Sequence, residues 1–304
     1  MTTVAVPAAL AGERLDRVVA TVTGVSRSVA AALVDGGAVE LDGRVERSAK
    51  TRVAEGASIT VELPVPEPVG VRGDPSVDLR VVYEDDDVIV IDKPAGLVVH
   101  PGAGNTSGTL VHGLVARFPE IAAVGDPARP GIVHRLDKGT SGLLLVARSP
   151  TAYTALVAQM ASRSVERRYD ALAWGQPKPA TGVIDAPVGR STRDPTRMTV
   201  SSRGRAARTH YRVHTVYRSP ALVSLLECRL ETGRTHQVRV HLAAIHHPIV
   251  GDARYGGRRE PLHAPRPMLH ARALAFVHPS TGARIALEAP LPGDFEDVLA
   301  GLTE

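Results

Sequence analysis

His134-Arg135-Leu136-Asp137-Lys138-Gly139-Thr140-Ser141-Gly142-Leu143-Leu144-Leu145 sets one carboxylate between two cations, in a turn-prone segment that runs into an apolar stretch. The positive charge of Arg135 and Lys138 favours the charged form of Asp137. Thr140, Ser141 and Gly142 suit a tight loop exit. Residues 143–146 have the length and composition of a buried strand. The expected arrangement is a reactive carboxylate at the rim of a rigid sheet.

Around this run the pattern alternates irregularly between strands and helices. Val81-Val82-Tyr83, the turn Asp85-Asp86-Asp87 and residues 88–91 read as strand, turn, strand, broken by Lys93-Pro94-Ala95-Gly96. Helices are expected over residues 109–117 and 150–162, the second with Pro at its start. Strands are expected over 165–174 and 222–230, and a further helix over 237–244. Regular strand–helix–strand alternation is missing, so the fold class is α+β, with a mixed, mostly antiparallel sheet and flanking helices.

Upstream, Pro64, Pro66, Pro68 and Pro75 with Gly70 and Gly73 read as an extended linker, because Pro fixes φ and removes a donor. The expected division is a small unit over 1–63, a linker over 64–78 and a large body over 79–304. The length of 304 residues accommodates about two domains. In the small unit, Leu15, Val18, Val19 and Val22 follow helical spacing. Ser26 can cap a second helix that stops at Gly36-Gly37. Asp42-Gly43 between short apolar runs signals a hairpin, and residues 59–63 close the unit as a strand, giving an ααβββ order.

Composition narrows the class. No apolar run is long enough to span a bilayer, and the N-terminus lacks a signal-peptide pattern. The chain therefore reads as cytoplasmic, and the single Cys228 fits a reducing compartment. Arg outnumbers Lys 32 to 4, and the planar Arg fork suits phosphate recognition. Residues 190–218 concentrate eight Arg against one acid, Asp194, and could track a nucleic-acid backbone. Aromatic residues make up only 3%, so base stacking rests on one or two side chains rather than an aromatic sheet. The twelve His residues form no His-Glu-x-x-His pattern, and one Cys cannot build a zinc cluster. Phosphate-binding and dinucleotide loops are also missing, and Asp85-Asp86-Asp87 lacks calcium-loop spacing.

A second run carries chemistry: Arg229-Leu230-Glu231-Thr232-Gly233-Arg234-Thr235-His236-Gln237-Val238-Arg239-Val240-His241. A strand ends, Gly233 allows a bend, and a polar cluster opens a helix with Arg234 near its start. The residues alone leave three readings open. One is an enzyme using a single carboxylate. Another is an RNA-binding assembly factor without catalysis. The third is a nucleoside or glycoside hydrolase, which in its retaining form needs a second carboxyl group about 5 Å away.

The two runs together resemble the RluA-type family of RNA pseudouridine synthases. Further matches are Asp92-Lys93-Pro94-Ala95-Gly96-Leu97, His100-Pro101-Gly102, and Gly251-Asp252 with Tyr255-Gly256. Gly139 departs from the pattern, where many relatives carry Asp. The small unit is similar to the S-four-like RNA-binding module, through Arg14-Leu15-Asp16, Ser26-Arg27-Ser28 and Gly37-Ala38-Val39 to Asp42-Gly43. That combination is common in the branch acting on large-subunit ribosomal RNA.

The resemblance implies a pseudouridine-synthase-like catalytic domain behind an RNA-binding domain. It implies an isomerase that turns uridine into pseudouridine without cofactor or metal. The implied partner is RNA, large-subunit ribosomal RNA or its assembly precursor, with no membrane and no obligate protein partner. Asp137 is the implied catalytic residue, acting as nucleophile at sugar or base or as a base at the sugar. Arg234 is expected to pair with it. Tyr169 is expected to stack on the target base, Leu230 to pack against it, and Arg135 to hold the extruded nucleotide. In the small unit, Arg27, Arg44, Arg47, Lys50 and Arg52 are expected to meet RNA from one face, although residues 1–63 hold seven basic and eight acidic residues.

Overall fold

The computed structural model describes residues 2–63, 70–102 and 104–304. Of the linker expected over 64–78, residues 64–69 lie outside the described residues. The chain divides into two compact units, residues 1–69 and 70–304. No single helix among the described residues is long and apolar enough to cross a membrane.

The N-terminal unit runs β1 (Thr2–Ala5), α1 (Leu15–Thr23), α2 (Arg27–Gly36), β2 (Val39–Leu41), β3 (Arg44–Val45) and β4 (Ser58–Val61). Leu15, Val18 and Val19 recur at helical spacing and are buried in α1. The Ser26 side chain accepts from the Val29 amide to cap α2. Asp42 and Gly43 have φ of 52° and 76°, the backbone of a two-residue hairpin turn. The four strands form an antiparallel sheet in the order β1-β4-β2-β3. The expected ααβββ order is thus present with one strand added in front. That strand is only Thr-Thr-Val-Ala, too short to show a period, and its pairing with β4 is a tertiary effect.

The larger unit contains β5 (Val81–Glu84), β6 (Val88–Lys93), α3 (Leu110–Arg117), β7 (Ser141–Ala147), α4 (Pro150–Ala161) and β8 (Glu166–Trp174). It continues through β9 (Thr181–Asp185), β10 (Val188–Arg190), β11 (Met198–Val200), β12 (Arg208–Tyr217), β13 (Val223–Leu230) and α5 (Gln237–Ala244). It closes with β14 (Leu269–Val277), β15 (Arg284–Glu288) and α6 (Gly293–Ala300). Nine strands share one sheet, in the order β5-β6-β7-β14-β8-β13-β12-β9, with β15 also paired to β14. Among the described residues, only the β7–β14 pairing is parallel.

This sheet is covered on both faces where β6 and β7 lie. Side chains alternate across a strand, and here both sets are apolar. Ile89, Ile91, Leu144 and Val146 join a core with Leu110 of α3 and Phe295 of α6. Val88, Val90, Leu143 and Leu145 join a second core with Leu156 of α4 and Phe276. Each such burial contributes roughly 1.5–3 kcal/mol, so these two strands form a rigid base for whatever stands at their ends. The Arg-rich stretch 190–218 is built into strands: β10 and β11 form a two-stranded ribbon, and β12 joins the main sheet. The ribbon rests on α5 through Val188, Met198, Val240 and Tyr255.

Candidate active site

The 134–140 segment leads directly into β7, and its backbone is tied down along its length. The His134 Nε2 accepts from the Leu145 amide at 2.9 Å, fastening the start of the loop to β7. The Thr140 amide donates to the Asp137 carbonyl at 3.0 Å, and the Gly96 amide donates to the Lys138 carbonyl at 2.7 Å. Arg266, paired with Asp294, donates to the Gly139 carbonyl at 3.2 Å. The loop exit needs glycine: Gly142 has a φ of +106°, and a Cβ there would run into the Ala271 carbonyl of β14.

Lys93 sits behind this loop and is fully buried. Its Nζ donates to the carbonyls of Pro94, Leu97 and Lys138 at 2.7, 3.0 and 3.4 Å. Burial pushes its pKa down to about 7, with Asp137 and Asp92 opposing and Arg266 adding to the depression.

Asp137 meets a different arginine from the one expected. Arg239, two residues into α5, donates from Nη1 to Asp137 Oδ2 at 2.9 Å. The same guanidinium holds Asp252 with Nε and Nη2, at 2.7 and 2.9 Å. Asp252 is fully buried and also accepts from the amides of Arg254 and Tyr255. Burial works against the Arg239 charge, but the bonds and charges of Asp252 and Asp137 outweigh it and hold its pKa above the ordinary value. The guanidinium carbon lies 5.1 Å from the Tyr255 ring centroid.

The expected Arg234–Asp137 pair is corrected accordingly. The Arg234 Nε donates to the Ala206 carbonyl at 3.0 Å. Its amide is fixed by Gln237 Oε1 at 3.0 Å, which turns the residue before α5 begins. A position five residues further, inside the helix, is the one that reaches the carboxylate.

His236 adds a third neighbour, with Nε2 3.9 Å from Asp137 Oδ1 and Nδ1 2.8 Å from the Tyr255 hydroxyl. Burial pushes its pKa down, with Asp137 opposing and Arg239 adding to the depression. Arg239, Asp252, Tyr255 and Lys93 all lie in the segments that carry the family resemblance, and only the tertiary structure shows what they touch. Nothing in the sequence alone separated Arg239 from Arg234.

Asp137 opens onto a cleft of about 530 Å³ that Arg135, Tyr169, Leu230 and Arg234 also line. Four expected residues are therefore brought together with the carboxylate. Tyr169 and Leu230 are buried, and Arg135 is exposed at the mouth. Tyr169 comes from β8, paired opposite Cys228 of β13. Burial raises its phenol pKa, with Arg167 opposing and Asp137 adding.

In the N-terminal unit the five basic residues do not share one anchor. Arg27 lies against Asp16, which also takes Arg14 at 2.8 Å. Arg47 donates to the Asp35 carbonyl and Arg52 to the Gly12 carbonyl. Arg44 and Lys50 are exposed. Arg14 pairs in a β-bridge with Arg52 and adds a basic residue beside the expected five.

Asp137, braced by the buried Arg239, opens on a cleft that Arg129, Arg135, Arg205 and Arg234 also line, an arrangement suited to a polyanion. Residues 87–244 match the RNA pseudouridylate synthase family, and residues 13–59 match the S4 domain. An uncharacterized RNA pseudouridine synthase of Chloroflexus aurantiacus is 48% identical over 99% of this chain and 93% of its own length. Ribosomal large subunit pseudouridine synthase D of Xanthomonas campestris pv. campestris is 45% identical over 98% of this chain and 92% of its own length. The solved structure of human RNA pseudouridylate synthase domain containing 1 superimposes with a TM-score of 0.59 at 28% identity, covering 75% of this chain and 89% of that one. The chain belongs to the RNA pseudouridylate synthase family: it is an isomerase carrying an N-terminal S4 domain.

Proposed function

We propose that this enzyme converts specific uridines of structured RNA, in large-subunit ribosomal RNA, to pseudouridine with Asp137 as its one essential carboxylate and with no cofactor. The observation that carries the reading is the direct Asp137–Arg239 contact at the cleft, 2.9 Å long, with Tyr169 lining the same space. The ribosomal substrate is supported by the printed name of the Xanthomonas relative, whose similarity runs through both domains.

In this reaction the N1–C1′ bond breaks, the base turns, and C5 joins C1′. A proton leaves C5 and N1 gains one, so the product is an isomer and nothing is consumed. Asp137 is the group that reacts, at the sugar or at the base. Arg239 holds its carboxylate in one orientation, because the guanidinium is itself pinned by two bonds to Asp252. Tyr169 stacks on the base, kept a neutral phenol by its burial. Leu230 packs on the ring. Arg135 at the mouth takes the place the extruded nucleotide leaves in the RNA. Arg234 contacts the RNA strand. Arg27, Arg44, Arg47, Lys50 and Arg52 add phosphate contacts from the S4 domain.

The test is a pseudouridine map of large-subunit ribosomal RNA from cells with the gene, without it, and with Asp137→Ala in its place. Specific positions should lose the modification in the second and third cases. An unchanged map contradicts the substrate assignment.

A further inference from the structure

Three buried side-chain polar atoms among the described residues lack a hydrogen-bond partner: His100 Nδ1, His134 Nδ1 and Arg167 Nε. All three residues line the catalytic cleft. Buried polar groups are almost always paired, so their concentration at one place needs a cause.

Arg167 is the most costly of them. It is 5% exposed, and it has no ion pair or side-chain hydrogen bond among the described residues. Alternation along β8 puts it on the same face as Tyr169, two residues on. Its Nη1 lies beneath Gly233: a Cβ on that glycine would stand 2.8 Å from it. The nearby acids do not neutralise it. Asp137 is taken by Arg239, and Glu231 by Arg163, Arg208 and His210. Isolated burial of a charge costs several kcal/mol, and a fold that keeps one at its active cleft is completed by an anion.

His134 supplies a second donor. Its Nε2 already accepts from Leu145, so the neutral ring carries its proton on Nδ1. Burial, with the Arg167 charge adding, pushes its pKa down to about 3, so the ring stays neutral at working pH. Arg167 and the His134 Nδ1–H therefore offer donors and no acceptor. Arg129, Arg135, Arg205 and Arg234 line the same cleft, so the field around them also selects negative charge.

We propose that the Arg167 guanidinium, beside the unpartnered His134 Nδ1–H, seats a phosphate oxygen of the RNA next to the target uridine, anchoring the strand inside the catalytic cleft. This rests on the RNA-modifying reading above. A phosphate repays the buried cation more fully than a neutral base carbonyl can, because charge-assisted bonds are roughly twice as strong.

The experiment compares binding of uridine 5′-monophosphate, uridine 3′-monophosphate, inorganic phosphate and uridine to the full-length protein and to Arg167→Met and Arg167→Lys. Wild type should prefer at least one monophosphate over uridine by about ten-fold, the effect of one charge-assisted contact. Arg167→Met should lose that preference without losing thermal stability, since it replaces an unpaired buried cation with an apolar chain. Arg167→Lys should keep part of the preference. A wild type that binds uridine and both monophosphates alike overturns the proposal and leaves water as the partner of these donors. So does an Arg167→Met protein that unfolds earlier yet keeps the preference, because that marks a structural role. If the methionine variant does not fold, an Arg167→Lys protein with full wild-type preference overturns it equally. Binding is read without turnover, so a failure here is separate from a failure of the uridine reaction, which appears as unmodified RNA with the wild-type enzyme.

Discussion

Arg239 Nη1 lies 2.9 Å from Asp137 Oδ2, and the opposite side of the same guanidinium is clamped by Asp252. The Asp137 carboxylate is thus oriented by a cation that is itself held from its other edge. A lysine could meet one carboxylate but not span both, because the two are read by different edges of a rigid fork. The arrangement separates what Arg239 and Arg234 do.

Arg239→Lys is expected to lower kcat by about 10²–10³, the usual effect of removing one preorganised donor, with a thermal midpoint showing a folded protein. Arg234→Ala should raise KM and leave kcat within a few-fold, since its side chain is held by the Ala206 carbonyl rather than by Asp137. Equal collapse of kcat in both variants contradicts the division of roles.

Arg239→Ala strands the fully buried Asp252 without its counter-charge. Breaking such a pair costs about 3–5 kcal/mol. Adding Asp252→Ala should cost little more, because the uncompensated charge is then gone. Urea denaturation of the two single variants and the double variant reads this directly, and strictly additive losses contradict the bridge.

These residues also mark how far the sequence carried. The 134–140 loop, the strand behind it and the helix over 237–244 were all legible, because each rests on local pattern: a turn-prone loop before an apolar run, or a polar cluster opening a helix. Asp137, Tyr169, Leu230 and Arg135 line one cleft. Which arginine meets Asp137 was not legible. That choice depends on the αL backbone of His236 and on the Gln237 side chain fixing the Arg234 amide, neither of which has a sequence period. Strand β1 was missed for a similar reason, since a four-residue polar strand exists only through its partner β4. Lys93 looked like part of a turn motif, and its burial under the loop is purely tertiary.

The pH dependence of stability should carry the mark of Lys93. In the folded protein its pKa falls to about 7 from 10.5, whereas the unfolded chain keeps that proton to about pH 10. Between those values the unfolded state binds more protons, so this group makes stability rise with pH, with no further change below about 7. Lys93→Met should remove that component. Urea unfolding from pH 7 to 10 checks it, and identical slopes for variant and wild type contradict it.

Two glycines of the same loop should respond differently to alanine. Gly142→Ala meets both a φ of +106° and the Ala271 carbonyl, and the backbone conformation alone costs about 1–3 kcal/mol. At Gly139 the added Cβ meets only Pro267 Cδ at 3.2 Å, and the loss should stay within about 1 kcal/mol. Denaturation midpoints decide the order, and a reversed order contradicts the account of the loop exit.

The central claim is that Asp137 alone carries the chemistry. Purified wild type and Asp137→Asn are incubated with unmodified, transcribed large-subunit ribosomal RNA, and pseudouridine is counted by mass spectrometry. Asn keeps the size of the side chain and an acceptor for Arg239, so the variant should bind the RNA and form no pseudouridine. Turnover by Asp137→Asn at the wild-type rate contradicts the claim.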